Sequence, residues 1–222
     1  MFKLLTKDIA KLFVSPNEIK HSSFSKNFKE VLFYYFIFTI FLLFITVILA
    51  LLGHLSGNSP RLLENTEIKF LDVAIIAPIL EETLFRLVMR WSKFNLLIFF
   101  VWLFIFILYQ KFLIGTACLG TLCILFFLLF SSKKFNEAVN RDQLEFKFFP
   151  LSFLIYLSCF LFGIMHVSNF ETIDLLNISV ILYLSSHILG GFVFALLRLK
   201  FGIISSIFYH SLINSIAYFL VS

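Results

Sequence analysis

The stretch VLFYYFIFTIFLLFITVILALL, residues 31–52, is apolar along its whole length and carries no charged side chain. A helix needs about 20 mostly apolar residues to cross the hydrocarbon core of a bilayer, so this stretch predicts a transmembrane helix. Similar runs follow at 70–91, 94–109, 112–130, 148–167, 175–197 and 202–221. The sequence therefore predicts an all-α fold, a polytopic membrane bundle of about seven helices. The range is six to eight, because only Gln110 and Lys111 separate two of the runs.

Composition and charge indicate the same environment. Apolar residues make up 60% of the 222 positions and charged residues only 14%, a balance that argues against an ordinary soluble domain. With the N-terminus in the cytoplasm, the inner loops would hold fourteen Lys and Arg residues and the outer loops only Arg61, Lys69 and Lys111. Because cytoplasmic loops carry the excess of Lys and Arg, we expect a cytoplasmic N-terminus and a C-terminus outside.

Partners and location follow from this topology. The sequence pI of about 9.1 reflects the basic inner loops. The sequence has no aromatic-interleaved basic patch and no glycine-rich phosphate loop, so no nucleic-acid partner is expected. The lipid bilayer is the expected surrounding, and the richness in Phe, Ile, Lys and Asn is typical of an AT-rich genome. We therefore expect an integral protein of a bacterial cell membrane.

The predicted domain organisation is simple. Residues 1–30 form a cytoplasmic N-terminal segment, and residues 31–221 form one transmembrane domain. Apolar residues recur at near-helical spacing in residues 2–13, with Lys3, Lys7 and Lys11 between them. This pattern suits a short helix at the membrane interface, and a solvated tail is an equal alternative.

A few polar side chains lie inside the predicted spans. An ionisable group in mid-membrane costs about 2.5–3.5 kcal/mol on insertion scales, so such residues are candidates for function. The opposing interpretation is that they only join helices through hydrogen bonds worth about 0.6–2 kcal/mol. Both interpretations apply to His187, which stands beside two glycines. The candidates are Glu81, Glu82, Arg86, His166, His187, His210 and Asn214.

Their spacing predicts local geometry. Residues four apart share a helix face, so Glu82 can reach Arg86, and His210 and Asn214 point to one place. Glu81 is rotated by about 100° from Glu82 and is left free. A free carboxylate, two imidazoles and an amide donor are groups that can activate water and stabilise an oxyanion.

Three ordered motifs resemble a known family. They are E-E-x-x-x-R in EETLFR at 81–86, F-x-x-x-H in FGIMH at 162–166 and H-x-x-x-N in HSLIN at 210–214, each on its own hydrophobic segment. Together they resemble the CAAX-processing and bacteriocin-processing (CPBP) family of intramembrane endopeptidases, which includes type II CAAX prenyl endopeptidases. The resemblance covers about residues 70–221.

The resemblance implies hydrolysis of a peptide bond in a membrane-associated or lipidated protein or peptide. It implies Glu81 as the general base on a water assisted by His166, an oxyanion site at His210 and Asn214, and supporting roles for Glu82 and Arg86. Family members are often described as metalloproteases. We expect metal-free chemistry and keep zinc open, with Glu81, His166 and His210 as the candidate ligands.

Two other functions remain open from the sequence. A transporter or channel could line an ion or proton path with the same polar residues, and Pro78 could break a helix beside them. A non-catalytic immunity or scaffold member of the same family would keep the fold without the reaction. The sequence leaves the substrate, its cleavage site, the side to which the site opens and the oligomeric state undecided.

Overall fold

The structure is a computed structural model, and it describes residues 1–24, 26–55, 70–90, 95, 97–99, 101, 150–170 and 177–221. The described elements are helices, which confirms the all-α class for this part of the chain. The α-helices are α1 (Phe2–Val14), α2 (Phe28–Leu55), α3 (Ala77–Arg86), α4 (Leu151–Met165), α5 (Ile178–Phe201) and α6 (Ile203–Val221). Apart from a few residues between 95 and 101, the predicted spans 94–109 and 112–130 lie outside the described residues, as does the loop 131–147.

Four predicted spans correspond closely to single helices. The runs 31–52, 148–167, 175–197 and 202–221 match α2, α4, α5 and α6 to within a few residues at each end. By length and composition alone, two described helices could cross a membrane, Phe28–Ile48 within α2 and Ile178–Phe201, which is α5. The apolar helices Leu151–Met165 and Ile203–Phe219 are shorter.

The predicted span 70–91 is helical but irregular. It passes through a π-helical segment, Asp72–Ile76, before α3 begins, and it ends in a 3₁₀ turn at Leu87–Met89. The prediction of a helical segment is therefore confirmed, and the irregular geometry within it is a further finding. Pro78 supplies a physical reason, because proline has no N–H and its ring crowds the carbonyl four residues earlier. The segment consequently changes its helical geometry directly before the two glutamates.

The four helices α3 to α6 pack around the polar residues of α3. Helices α4 and α5 approach closely because glycines face their neighbours. A Cβ atom on Gly191 would lie 3.2 Å from the Cα of Cys159 and 3.2 Å from Nη2 of Arg86. Helices α5 and α6 are joined through Gly202, whose φ of 97° lies in the left-handed region that favours glycine. This single-residue connection places α6 directly beside α5.

The N-terminal segment forms a helix that packs on the bundle. Leu5 and Leu12 of α1 are buried, as is Asp8 between them. The Asp8 carboxylate lies 2.7 Å from Nζ of Lys200, at the end of α5, and accepts a 2.7 Å hydrogen bond from the Tyr34 hydroxyl of α2. Residues 2–14 are thus tied to both α2 and α5 by a buried polar contact.

Candidate active site

Glu82 lies at the centre of a buried polar cluster. Its carboxylate is completely buried and accepts hydrogen bonds from the Ser206 hydroxyl and from Nδ1 of His210, the latter at 3.1 Å. Nε of Arg86, one helical turn along α3, lies 3.9 Å from Oε2 of Glu82. Glu82 therefore joins α3 to α6 through two hydrogen bonds and has its charge balanced by an arginine on its own helix.

Arg86 is as deeply buried as its partner, yet it makes few hydrogen bonds. Nη2 contacts the carbonyl oxygen of Gly191 at 3.5 Å, whereas Nε and Nη1 have no hydrogen-bond partner among the described residues. The guanidinium carbon lies 4.3 Å from the centre of the Phe162 ring. A cation over an aromatic face is attracted by the ring quadrupole. The Phe162 ring therefore offsets part of the cost of burying a guanidinium group that makes few hydrogen bonds.

His210 lies between the two glutamates. Because a carboxylate accepts hydrogen bonds, the contact with Glu82 places a proton on Nδ1 of His210 and leaves Nε2 as the nitrogen that faces Glu81. Nε2 lies 3.5 Å from Oε2 of Glu81, a buried oxygen without a hydrogen-bond partner among the described residues. The imidazole is stacked on Phe194, with ring centres 4.2 Å apart and planes tilted by 17°. The ring is therefore held in one plane between a paired and an unpaired carboxylate.

His166 lies at the end of α4 and contacts a different set of residues. Its Nδ1 donates to the carbonyl oxygen of Phe162 at 2.8 Å, so Nε2 is the free nitrogen. The ring lies 3.9 Å, centre to centre, from the ring of His187 on α5. The Phe162 ring contacts both His166, at 4.9 Å, and His210, at 5.7 Å, and so connects the two histidines.

Asn214 faces the irregular segment before α3. Its Nδ2 donates a 3.0 Å hydrogen bond to the carbonyl oxygen of Val73, within the π-helical Asp72–Ile76. One of the two amide N–H groups is therefore occupied by backbone. The structure brings Glu81, Glu82, Arg86 and His210 together, and it places His166 and Asn214 at the edges of this group.

The candidate zinc ligands can be tested against this geometry. Glu81 and His210 are neighbours, whereas His166 is paired with His187. In the described part of the chain, no group of three or more His, Cys, Asp or Glu side chains is arranged to hold a metal ion. The residues Glu81, His166 and His210 thus do not form a ligand set in this arrangement.

The sequence reasoning overlooked Ser206 and Phe194. Ser206 donates to Glu82, and the Phe194 ring supports His210. A signal for Ser206 was present, because residues 206, 210 and 214 are each four apart and therefore share one face of α6. Phe194 gave no such signal, since 33 phenylalanines are spread over the chain.

Comparisons of this chain with protein-family models, with curated proteins and with solved structures find no match.

Proposed function

We propose that this protein is an intramembrane endopeptidase, a hydrolase that cleaves a peptide bond in a membrane-associated or lipidated protein or peptide. The observation that carries the proposal is the position of His210, with Nδ1 on the buried Glu82 and Nε2 turned to Glu81. An imidazole whose one nitrogen is anchored by a carboxylate has its other nitrogen oriented for proton transfer. The resemblance to the CPBP family rests on the same residues.

The membrane location is supported by the outer surface of α2. Large apolar side chains on this helix are exposed at intervals of three or four residues, which places them on one face: Leu32, Phe36, Ile40, Phe44, Val47 and Leu51. Val31, Tyr34 and Phe38 are buried on the inner side. Contiguous exposed apolar surface of this kind is rare on soluble monomers, whereas lipid tails would cover it. We propose a bundle of seven spans, with the N-terminus in the cytoplasm of a bacterium and the C-terminus outside.

Glu81 is the group we propose as the general base. It is the less buried of the two glutamates, and among the described residues Oε2 has no hydrogen-bond partner that would hold its lone pairs. Glu82 is unsuited to this role, because Arg86, Ser206 and His210 already occupy its oxygens. The Glu81 side chain is partly exposed, so a water at its carboxylate would lose a proton to it as the water oxygen attacks the carbonyl carbon of the substrate. Nε2 of His166, left free by the bond to Phe162, would accept a second hydrogen bond from that water.

The tetrahedral intermediate carries negative charge on the former carbonyl oxygen. The proton that Glu81 takes from the water would pass to Nε2 of His210, 3.5 Å from Oε2, and turn this nitrogen into a donor for that oxygen while Nδ1 remains on Glu82. When the intermediate collapses and the C–N bond breaks, the same proton would go to the leaving amine. The second N–H of Asn214 supplies the other proposed donor, since the first is held by Val73. Donors that are already fixed in place stabilise developing charge without reorganisation, and each is worth about 2.7–4 kcal/mol in known cases.

A second candidate function is an ion or proton path, and one observation favours it. The π-helical Asp72–Ile76 and Pro78 interrupt regular helix geometry beside the charged cluster, and interrupted helices form ion sites in transporters. The third possibility, a non-catalytic immunity or scaffold protein, would have the cluster but no turnover.

One experiment separates the three functions. The purified protein is reconstituted in proteoliposomes with quenched fluorescent peptides, including a prenylated C-terminal peptide and apolar membrane segments. The endopeptidase predicts fragments with wild type and none with Glu81→Gln, at equal amounts of folded protein. Ion or proton flux without fragments would favour the transporter, and neither signal would favour the non-catalytic protein. Adding EDTA and then zinc to the same vesicles tests metal dependence.

A further inference from the structure

His166 and His187 form a pair of matched imidazoles on neighbouring helices. In each, Nδ1 donates to the carbonyl oxygen four residues earlier, that of Phe162 at 2.8 Å and that of Tyr183 at 2.9 Å. The two ring centres are 3.9 Å apart and the planes are tilted by 34°. Both rings therefore have the same nitrogen committed to backbone and the same nitrogen, Nε2, left as the acceptor of the neutral ring.

His187 is itself held by a rigid neighbour. The Tyr183 ring lies 4.4 Å from the His187 ring, and its hydroxyl accepts a 2.9 Å hydrogen bond from Nδ2 of Asn169. The Phe170 ring packs edge-on against the Tyr183 ring, with ring centres 5.0 Å apart. The 3₁₀ turn after α4 runs from His166 to Asn169, with Phe170 directly after it, so this turn contacts α5 at both of its ends.

The backbone permits this close approach at one position. A Cβ atom on Gly163 would collide with the side chain of Ile188 and lie 3.1 Å from the carbonyl oxygen of Leu184. The two helices can therefore approach at the level of residues 184–188 only because residue 163 has no side chain. His166 lies three residues after Gly163 and His187 directly precedes Ile188, so this close approach also brings the two imidazole rings together.

We propose that His187 is a positioning residue that holds the His166 ring in the orientation in which Nδ1 stays on Phe162 and Nε2 stays free. The inference rests on the proposed endopeptidase function, because it gives His166 the water-assisting role. His187 itself lies against the His166 and Tyr183 rings, and nothing in its contacts places it on Glu81 or Glu82. It acts on the reaction through the His166 ring and takes no proton from substrate or water.

The test compares substitutions that keep or remove the flat ring. His187→Phe preserves a face for stacking without any nitrogen, whereas His187→Ala removes the face. Ser185→Ala is the matched control, because this hydroxyl lies on the same turn of α5 and, within the described part of the chain, donates to the carbonyl of Ile181 on its own helix. We expect His187→Ala to lower kcat about tenfold or more with KM within twofold of wild type, His187→Phe to recover most of kcat, and the control to match wild type.

A second measurement does not depend on cleavage. In protein with ¹⁵N-labelled histidine, the ring nitrogens of His166 report which nitrogen carries the proton. We expect the Nδ1–H form of His166 to persist in wild type and His187→Phe and to be lost or averaged in His187→Ala. An unchanged His166 signal in His187→Ala would overturn the positioning role, and so would a His187→Phe enzyme as slow as His187→Ala. If wild type cleaves nothing while the His166 signal shifts as expected, the proposed function fails and the positioning of the ring stands.

Discussion

The pairing of Glu82 with Arg86 predicts unequal costs for removing its two members. Glu82→Gln leaves Arg86 buried with one 3.5 Å contact to Gly191 and the face of Phe162. Arg86→Met leaves Glu82 with two hydrogen bonds, from Ser206 and from His210. Both variants strand a buried charge, but the arginine is left with poorer compensation. We therefore expect Glu82→Gln to be the more destabilising substitution.

The magnitude follows from the distance. Two unit charges 3.9 Å apart attract by about 4 kcal/mol at the effective dielectric constant of about 20 that suits protein sites. Losing one partner of a buried pair costs about 3–5 kcal/mol, because the other charge is left uncompensated. We expect Arg86→Met near the lower end of this range and Glu82→Gln near the upper end. The double variant should cost less than the sum of the two, because it strands no charge.

The assay is an equilibrium double-mutant cycle in detergent micelles, with unfolding by SDS followed by circular dichroism. Lys7→Met, which removes an exposed charge from α1, is the control for a general effect of net charge. The losses in unfolding free energy of the two single variants, added together, should exceed the loss of the double variant by about 2 kcal/mol or more. A difference of this size is within the usual range for groups in contact. Losses that add to within about 0.5 kcal/mol would refute the pairing. A greater loss for Arg86→Met than for Glu82→Gln would refute the argument from compensation.

Three further predictions test other parts of the structure. Glu81→Gln should abolish cleavage and leave the melting temperature within a few degrees of wild type, since Oε2 makes no stabilising hydrogen bond with any residue that the structure describes. Turnover near the wild-type rate would remove Glu81 as the base. Asn214→Ala should lower kcat about a hundred- to thousandfold if the second N–H of Asn214 stabilises the oxyanion. If kcat per folded molecule changes only a few-fold, the role of Asn214 is limited to its hydrogen bond with the Val73 carbonyl. Gly202→Ala should lower stability by about 1–2 kcal/mol, because its φ of 97° disfavours a side chain, whereas Gly190→Ala, with its nearest contact at 3.8 Å, should be nearly neutral by thermal unfolding.

The helices were predictable because apolar run length is a strong signal. Four predicted runs matched single helices, and the pairing of Glu82 with Arg86 was predicted from their spacing of four. The π-helical segment was not anticipated, since the run 70–91 is as apolar there as elsewhere. Its cause, Pro78, was visible in the sequence, but which geometry a proline imposes depends on the helices packed around it. Local pattern therefore located the elements and left their irregularities undetermined.

Contacts between segments that are distant in the chain were harder to predict from the sequence. Helical spacing placed His210 and Asn214 on one face, but it gave no information about which partners that face would meet. The structure assigns His210 to the two glutamates and Asn214 to the backbone of Val73. Such assignments depend on how α6 is rotated against α3, and no periodicity within one helix encodes that rotation. The same holds for His187, whose partner His166 lies on another helix.

The face of α6 formed by Ser206, His210 and Asn214 connects chemistry and fold. Its first member anchors Glu82, its second faces both glutamates, and its third holds the carbonyl of Val73. A π-helical turn alters the backbone hydrogen-bond pattern, so a carbonyl there is a natural acceptor for a side-chain amide. Because the segment leads directly into α3, the bond from Asn214 also influences where Glu81 and Glu82 lie. A loss of activity in Asn214→Ala is therefore informative only per folded molecule and beside a measurement of Glu81 reactivity. Carbodiimide labelling provides one, since a displaced Glu81 would change its labelling rate, whereas a missing oxyanion donor would leave that rate unchanged.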